Sequence, residues 1–180
     1  MKTTILLLFI SCFTFSSNSR EAAPFPSARV DQIVADWERA KAYTKEYLDA
    51  VSEESINFKP TPEMRSFAEQ MLHLTMGNQG IVALSAGKEP LFKQNIEKMD
   101  QYKTKEALTK VVMEGYDFVI GIVKSMDDLK LEEKVKFFNR QEYSRAMGIA
   151  KAFEHQTHHR GQATVYLRLK GLTPPAEKLF

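Results

Sequence analysis

Residues 155 to 162 read HQTHHRGQ and hold three of the chain's four histidines, His155, His158 and His159; the fourth, His73, closes the stretch RSFAEQMLH far upstream. Neutral imidazole is a borderline donor that binds zinc, nickel, iron or manganese at about 2.0 to 2.2 Å. On a helix each residue advances by about 100°, so His155 and His159 fall about 40° apart on one face, one turn above the other. His158 falls about 60° from His155 on the opposite side. One histidine from one helix and an i, i+4 pair from another suit a single divalent cation. Each member also has an ordinary reading. A histidine on an apolar helix face, such as His73, is commonly a core residue bonded to a carbonyl or a side chain. An i, i+4 pair arises by chance on exposed helices, and HHR reads equally well as polar surface. What favours ligation is that every histidine of the chain falls at these two places.

Three nitrogens leave a divalent ion with open positions for water or substrate, as in catalytic rather than closed structural sites. Such an ion lowers the pKa of its bound water toward 7 and polarises carbonyls, which points to hydrolysis. No ExxH pair occurs, which argues against a carboxylate-bridged di-iron bundle. No Ser/His/Asp or Cys/His arrangement is readable, and the general base and all other catalytic residues are unassigned.

The elements that must carry these rings read as helices. From Ala28 to about Val51, the residues Ile33, Val34, Trp37, Ala40, Tyr47, Leu48 and Val51 recur at spacings of three and four, with Ser27 as a candidate cap. The prolines of NFKPTPEM then break the pattern. Ser66 and Glu69 form a capping box for a second helix that runs to about Ala86, where Gly87 stops it. His73 lies in that helix among Phe67, Leu74, Met76 and Ile81. A third helix spans about Thr104 to Met126, with Leu108, Val111, Val112, Gly115, Phe118, Val119, Ile122 and Val123 inward. The fourth runs from about Ser144 to Gly171, ahead of Pro174 and Pro175, and contains HQTHHRGQ. Only KVKFFN, Lys134 to Asn139, looks extended, as a short strand or an edge loop. Four such helices with connectors long enough to cross over predict an all-α four-helix bundle.

At 180 residues the chain suffices for one ordinary domain with a real core. A net charge of +2, with Lys and Arg interleaved among Asp and Glu as in LKLEEKVK, argues against nucleic-acid binding. At the amino terminus Lys2, the apolar run ILLLFI and the small residues of SCFTFSSNS follow the order of a secretory signal, too short for a permanent membrane span. This predicts a signal peptide over 1–23, a domain over 26–180 and an exported, periplasmic or extracellular protein. Cys12, the only cysteine, excludes an internal disulfide in that domain. FISC also loosely resembles a lipobox. On that second reading the signal ends before Cys12 and a lipid on that residue anchors the chain, the one route by which a membrane becomes a partner.

HQTHHRGQATVYLRLKGLTPP resembles the carboxy-terminal signature of the DinB-like family, grouped with the YfiT-like metal-dependent hydrolases, and RSFAEQMLHL resembles that family's second-helix segment. The resemblance runs from about residue 28 almost to the end. It implies a four-helix bundle with a three-histidine metal site at His73, His155 and His159, with His158 adjacent and not ligating. The function implied is a metal-dependent hydrolase of unknown small-molecule substrate. Two alternatives stay open: a thiol-dependent S-transferase, which export argues against because such thiols are cytoplasmic, and a non-catalytic metal- or ligand-binding module. The apolar faces of such bundles often pair, so a homodimer is plausible.

Beside the triad, Gly161 is expected to let a neighbouring helix approach the metal. Gln162 either orients a ligating imidazole or is a surface amide. Arg160 is expected to point away and pair with a carboxylate. Glu69 is a candidate to orient His73 or bind the metal, although its capping role already accounts for it. Asn78 and Trp37 are pocket candidates by periodicity.

Overall fold

The structure is a computed structural model that describes residues 28–137 and 141–180. The signal segment over 1–23, Cys12, the domain start at residue 26 and the Ser27 cap lie outside the described residues.

Four long helices dominate: α1 (Ala28–Ala50), α2 (Phe67–Ala86), α3 (Lys105–Lys124) and, after a short α4 (Asp128–Glu132) and a hairpin, α5 (Arg145–Leu169). α2 packs chiefly on α5 and α3, and α1 packs chiefly on α3 and α5. The order around the bundle is therefore α1, α3, α2, α5. Helices consecutive in the chain, α1 and α2 and then α3 and α5, stand diagonally, so their connections cross the bundle as the long linkers predict.

Local sequence explains each boundary. Ser66 Oγ accepts from the Glu69 backbone and the Glu69 side chain accepts from the Ser66 backbone, closing the capping box that starts α2. Gly87 ends it at φ 66°, a left-handed conformation that glycine adopts without a Cβ penalty. Ser66→Ala would cost about 1 kcal/mol. Thr104 and Ser144 cap α3 and α5 in the same way, through bonds from the Ala107 and Met147 backbones.

The apolar stripes meet in one core. Trp37 is fully buried, edge-on to Phe153 of α5 at 5.3 Å and to Tyr116 of α3 at 6.0 Å, which ties α1 to both neighbours. Leu48, Met71, Leu72, Leu74, Leu108, Val112 and Leu167 are also buried, and each contributes roughly 1.5 to 3 kcal/mol. Gly115 of α3 admits Thr75 of α2, whose Cγ2 would lie 2.5 Å from any Cβ there.

The extended segment predicted at Lys134 is half of a hairpin. β1 (Lys134–Phe137) pairs antiparallel with β2 (Gln141–Ser144), with Val135 opposite Tyr143 and Lys136 opposite Glu142. The sequence reading lacked β2, but an isolated strand leaves its backbone donors and acceptors unpaired, and QEYS supplies the partner row. Residues 138–140 lie outside the described residues. No described helix is long and apolar enough to cross a membrane.

Candidate metal centre

His73 projects from the middle of α2, and His155 and His159 project from successive turns of α5. Because α2 and α5 are direct neighbours, the three rings converge. Ring centroids lie 4.3 Å apart for His155 and His159, 4.5 Å for His73 and His159, and 5.2 Å for His73 and His155. One nitrogen from each ring lies within 4.8 Å of the others, a cluster capable of holding a metal ion. Nitrogens about 2.1 Å from one ion in a tetrahedral site lie about 3.4 Å apart, so a pair at the 4.8 Å limit closes by about 1.4 Å to share it.

The chain makes room for this convergence at Gly77, one turn beyond His73. A Cβ there would lie 2.1 Å from Cε1 and 2.4 Å from Nδ1 of His155. Any side chain at 77 would therefore displace that ring.

Groups around the rings fix their orientation. Glu97 comes from the connector between α2 and α3, on a 3-10 turn (Ile96–Lys98) that the buried Ile96 anchors and the Asn95 side chain caps. Its Oε1 lies 2.6 Å from His73 Nδ1, and its Oε2 accepts from Arg65 Nε at 2.8 Å. A carboxylate at Nδ1 holds a proton there and leaves the Nε2 lone pair of His73 free. The Gln70 side-chain amide lies 2.9 Å from Nδ1 of His159 and also bonds Gln162. Gln162 in turn meets Nε2 of His158 at 2.9 Å.

The electrostatics suit ligation. Burial, then His73, His158 and Arg65, pulls the pKa of His155 from 6.5 down to about 4. Burial, then His155 and His73, brings His159 down to about 3. Both rings are therefore neutral near pH 7, with lone pairs available. Burial alone would raise the Glu97 pKa, but the bonds from Arg65 and His73 outweigh it and keep the carboxyl ionised. Nδ1 of His155 is buried and has no hydrogen-bond partner among the described residues. Such an atom normally finds one, so a cation among these neutral nitrogens fits the residues present.

The DinB family model matches residues 25–179. The chain belongs to the DinB family. It is similar to the uncharacterized protein YrdA of Bacillus subtilis, with 24% identity over 147 residues, which cover 81% of this chain and 86% of that protein. Its fold is that of a DinB-like protein from Bacillus cereus ATCC 10987, with a TM-score of 0.72 and 18% identity over 82% of this chain and 97% of that one. The DinB-like protein YjoA of B. subtilis matches with a TM-score of 0.61 and 18% identity over 83% and 96% of the two chains. The family resemblance carried by HQTHHRGQ and RSFAEQMLHL thus holds, with the three-histidine cluster in place.

Among the neighbours of the cluster in this DinB protein, Gly161 and Arg160 differ from the sequence reading, and the others fall on one of the alternatives it left open. Gly161 is exposed and nothing lies within 4 Å of a Cβ there, so Gly77 supplies the close approach instead. Arg160 is buried and pairs with no carboxylate among the described residues; it donates to Gln156 and Thr44 and stacks over Tyr43. The reason is that α5 packs on both α1 and α2, so even its flank away from the histidines is interior. Glu69 caps α2 and pairs with Lys59 and Lys103, and its bonds do not include His73. The hydrogen bonds of Gln162 go to Gln70 and His158, and Gln70 in turn meets His159. Asn78 is buried, and Trp37 lines an apolar cavity of about 420 Å³ whose walls include none of the histidines.

Four contributors escaped the sequence reading: Gly77, Gln70, Glu97 and Arg65. Gly77 and Gln70 carry a usable signal, standing one turn after and about one turn before His73 on the same helix. Glu97 and Arg65 lie on connectors, where periodicity says nothing. Beside the cluster, Lys59, Arg65, Glu69, Gln70, Glu97 and Gln162 help line a polar groove of about 450 Å³.

Proposed function

We propose that this DinB-family protein binds one divalent metal ion through His73, His155 and His159 and acts as a metal-dependent hydrolase on a small polar substrate. The observation that carries the reading is the approach of three imidazole nitrogens to within 4.8 Å of one another, two of them on rings that burial keeps neutral. When bound, a divalent ion supplies Lewis acidity and an activated water.

The chain's own residues perform the rest. Glu97 holds a proton at Nδ1 of His73 and aims the ring. Gln70 fixes the plane of His159, and Gly77 leaves His155 its place. The adjoining groove meets the cluster through Gln70 and Glu97, although no histidine of the triad lines it, and its mixture of acids and bases suits a polar compound. That mixture does not favour the thiol-transfer alternative, which calls for a basic pocket. A groove beside a three-residue cluster also suits catalysis better than a purely structural ion. The amino-terminal pattern supports export as part of the same proposal.

The test is elemental analysis after gel filtration. Wild type and His158→Ala should retain about one metal per chain, whereas His159→Ala should lose it with helix content intact. Equal loss from the two variants would break the ligand assignment. For the reaction, a panel of ester, amide and phosphoester substrates should show turnover that chelation abolishes and the metal restores. A loaded protein inert across the panel would sink the hydrolase reading and leave metal binding standing.

A further inference from the structure

Arg160 follows His159 directly, yet it serves the other flank of α5. Its side chain reaches α1 and is only 6% exposed. Nη1 donates to Gln156 Oε1 at 2.9 Å and to Thr44 Oγ1 at a long 3.4 Å, and the guanidinium carbon lies 4.5 Å from the centroid of the Tyr43 ring. All three partners are neutral, and the two oxygens are already engaged by the Tyr116 hydroxyl at 2.7 Å each. Guanidinium does not shed its proton. A buried permanent cation is costly unless a charge of opposite sign compensates it.

Arg160 lines a groove of about 700 Å³ formed by α1, α5 and the segment 172–179. Arg168, about two turns further along α5, lines it as well. On the wall, the hydroxyls of Tyr47 and Thr164 lie 2.7 Å apart. Burial, then the Tyr47 hydrogen bond, pushes the Tyr43 hydroxyl up to about 12, so it remains protonated. Glu177 is the one acid in the lining, against Arg160, Arg168 and Lys178. The segment that carries it is tied down by the Lys178 pair with Glu46 and by Arg39 Nη1 donating to the Lys178 carbonyl at 3.1 Å. None of the three clustered histidines lines this groove.

We infer that this groove is a second binding site, for a small oxyanion such as a carboxylate or a phosphate, held between Arg160 and Arg168 and separate from the histidine centre. The anion supplies the charge that Arg160 lacks, with hydroxyl donors beside it. Glu177 is a resident negative charge with which an incoming anion must compete.

The experiment is thermal unfolding of the full chain, stripped of metal by chelation so that no ion at the histidines can take up anions. Inorganic phosphate and acetate are compared with chloride at matched ionic strength and pH. Binding to the native state raises Tm, so wild type should gain several degrees in at least one oxyanion. A gain in both marks a carboxylate-compatible site, and a gain in phosphate alone marks a phosphate site. Glu177→Gln should enlarge the gain, Arg168→Gln should at least halve it, and Arg160→Gln should abolish it. If Arg160→Gln does not fold, the opposite responses of the Glu177 and Arg168 variants decide. No oxyanion effect in wild type and Glu177→Gln, or an undiminished effect in Arg168→Gln, would overturn the inference.

Discussion

A side chain at position 77 and the imidazole of His155 compete for the same volume: a Cβ on Gly77 would sit 2.1 Å from Cε1 of that ring. The obstructing atoms belong to a side chain that can rotate, whereas the α2 backbone cannot easily move. Gly77→Ala should therefore expel the ring and leave the helix intact. Alanine also favours the helix by roughly 1 kcal/mol over glycine. The expected outcome is a metal affinity at least about tenfold weaker with helix content and Tm preserved. Chelator competition and circular dichroism measure the two; unchanged affinity would show that His155 does not need this space.

Glu97 and His73 form the second pair to test. Glu97→Gln keeps the shape but weakens the acceptor at Nδ1 and removes the charge facing Arg65. Metal affinity should fall by about 10- to 100-fold. Glu97→Asp, too short to hold Nδ1 and Arg65 together, should restore little of it. An affinity within about twofold of wild type for Glu97→Gln would show that the carboxylate does not support the ring.

Stability of the metal-free protein should depend on the half-buried His155 and the buried His159. His155 and His159 have folded values of about 4 and about 3 against an ordinary 6.5. Below pH 6.5 the unfolded chain takes up these protons before the folded one does, which pulls toward unfolding. Their contribution is complete above about pH 6.5 and is lost as pH falls toward 4 and then 3. Urea midpoints of the metal-free protein should drop over this window, and less steeply when both histidines are replaced by glutamine. Parallel curves for the two proteins would contradict the cause.

Two glycines of α5 should respond in opposite directions. Gly161 faces open space, so Gly161→Ala should stabilise by about 1 kcal/mol through helix propensity. At Gly148 a Cβ would meet Phe137 Cζ and Ser85 Oγ, both at 2.2 Å, so Gly148→Ala should destabilise by about 1 to 3 kcal/mol. Both variants should keep their metal. Thermal and urea unfolding, with elemental analysis, check the contrast.

Much of this was legible because helices write their geometry locally. Ser66, Glu69 and Gly87 mark both ends of α2 within a turn, and the i, i+4 spacing of His155 and His159 fixes their shared face whatever else surrounds them. What spacing along one helix cannot express is which neighbour lies against each flank. Spacing turns Arg160 away from the histidines and suggests a carboxylate partner, but α1 covers that flank and offers it neutral groups instead. Glu97 was out of reach for a different reason: it sits on a connector, 24 positions from His73, and only the folded path of that connector brings it there. β2 went unread because its residues are mostly exposed and show no apolar alternation.

The carboxylate behind His73 belongs to a linker and not to the bundle. The helices set where the three rings stand, while an independent stretch of chain sets how the His73 ring is held and polarised. Swapping that linker for one with a neutral residue at position 97 would retune the centre without repacking a single helix, so chemical temperament and architecture can vary separately in a protein built this way.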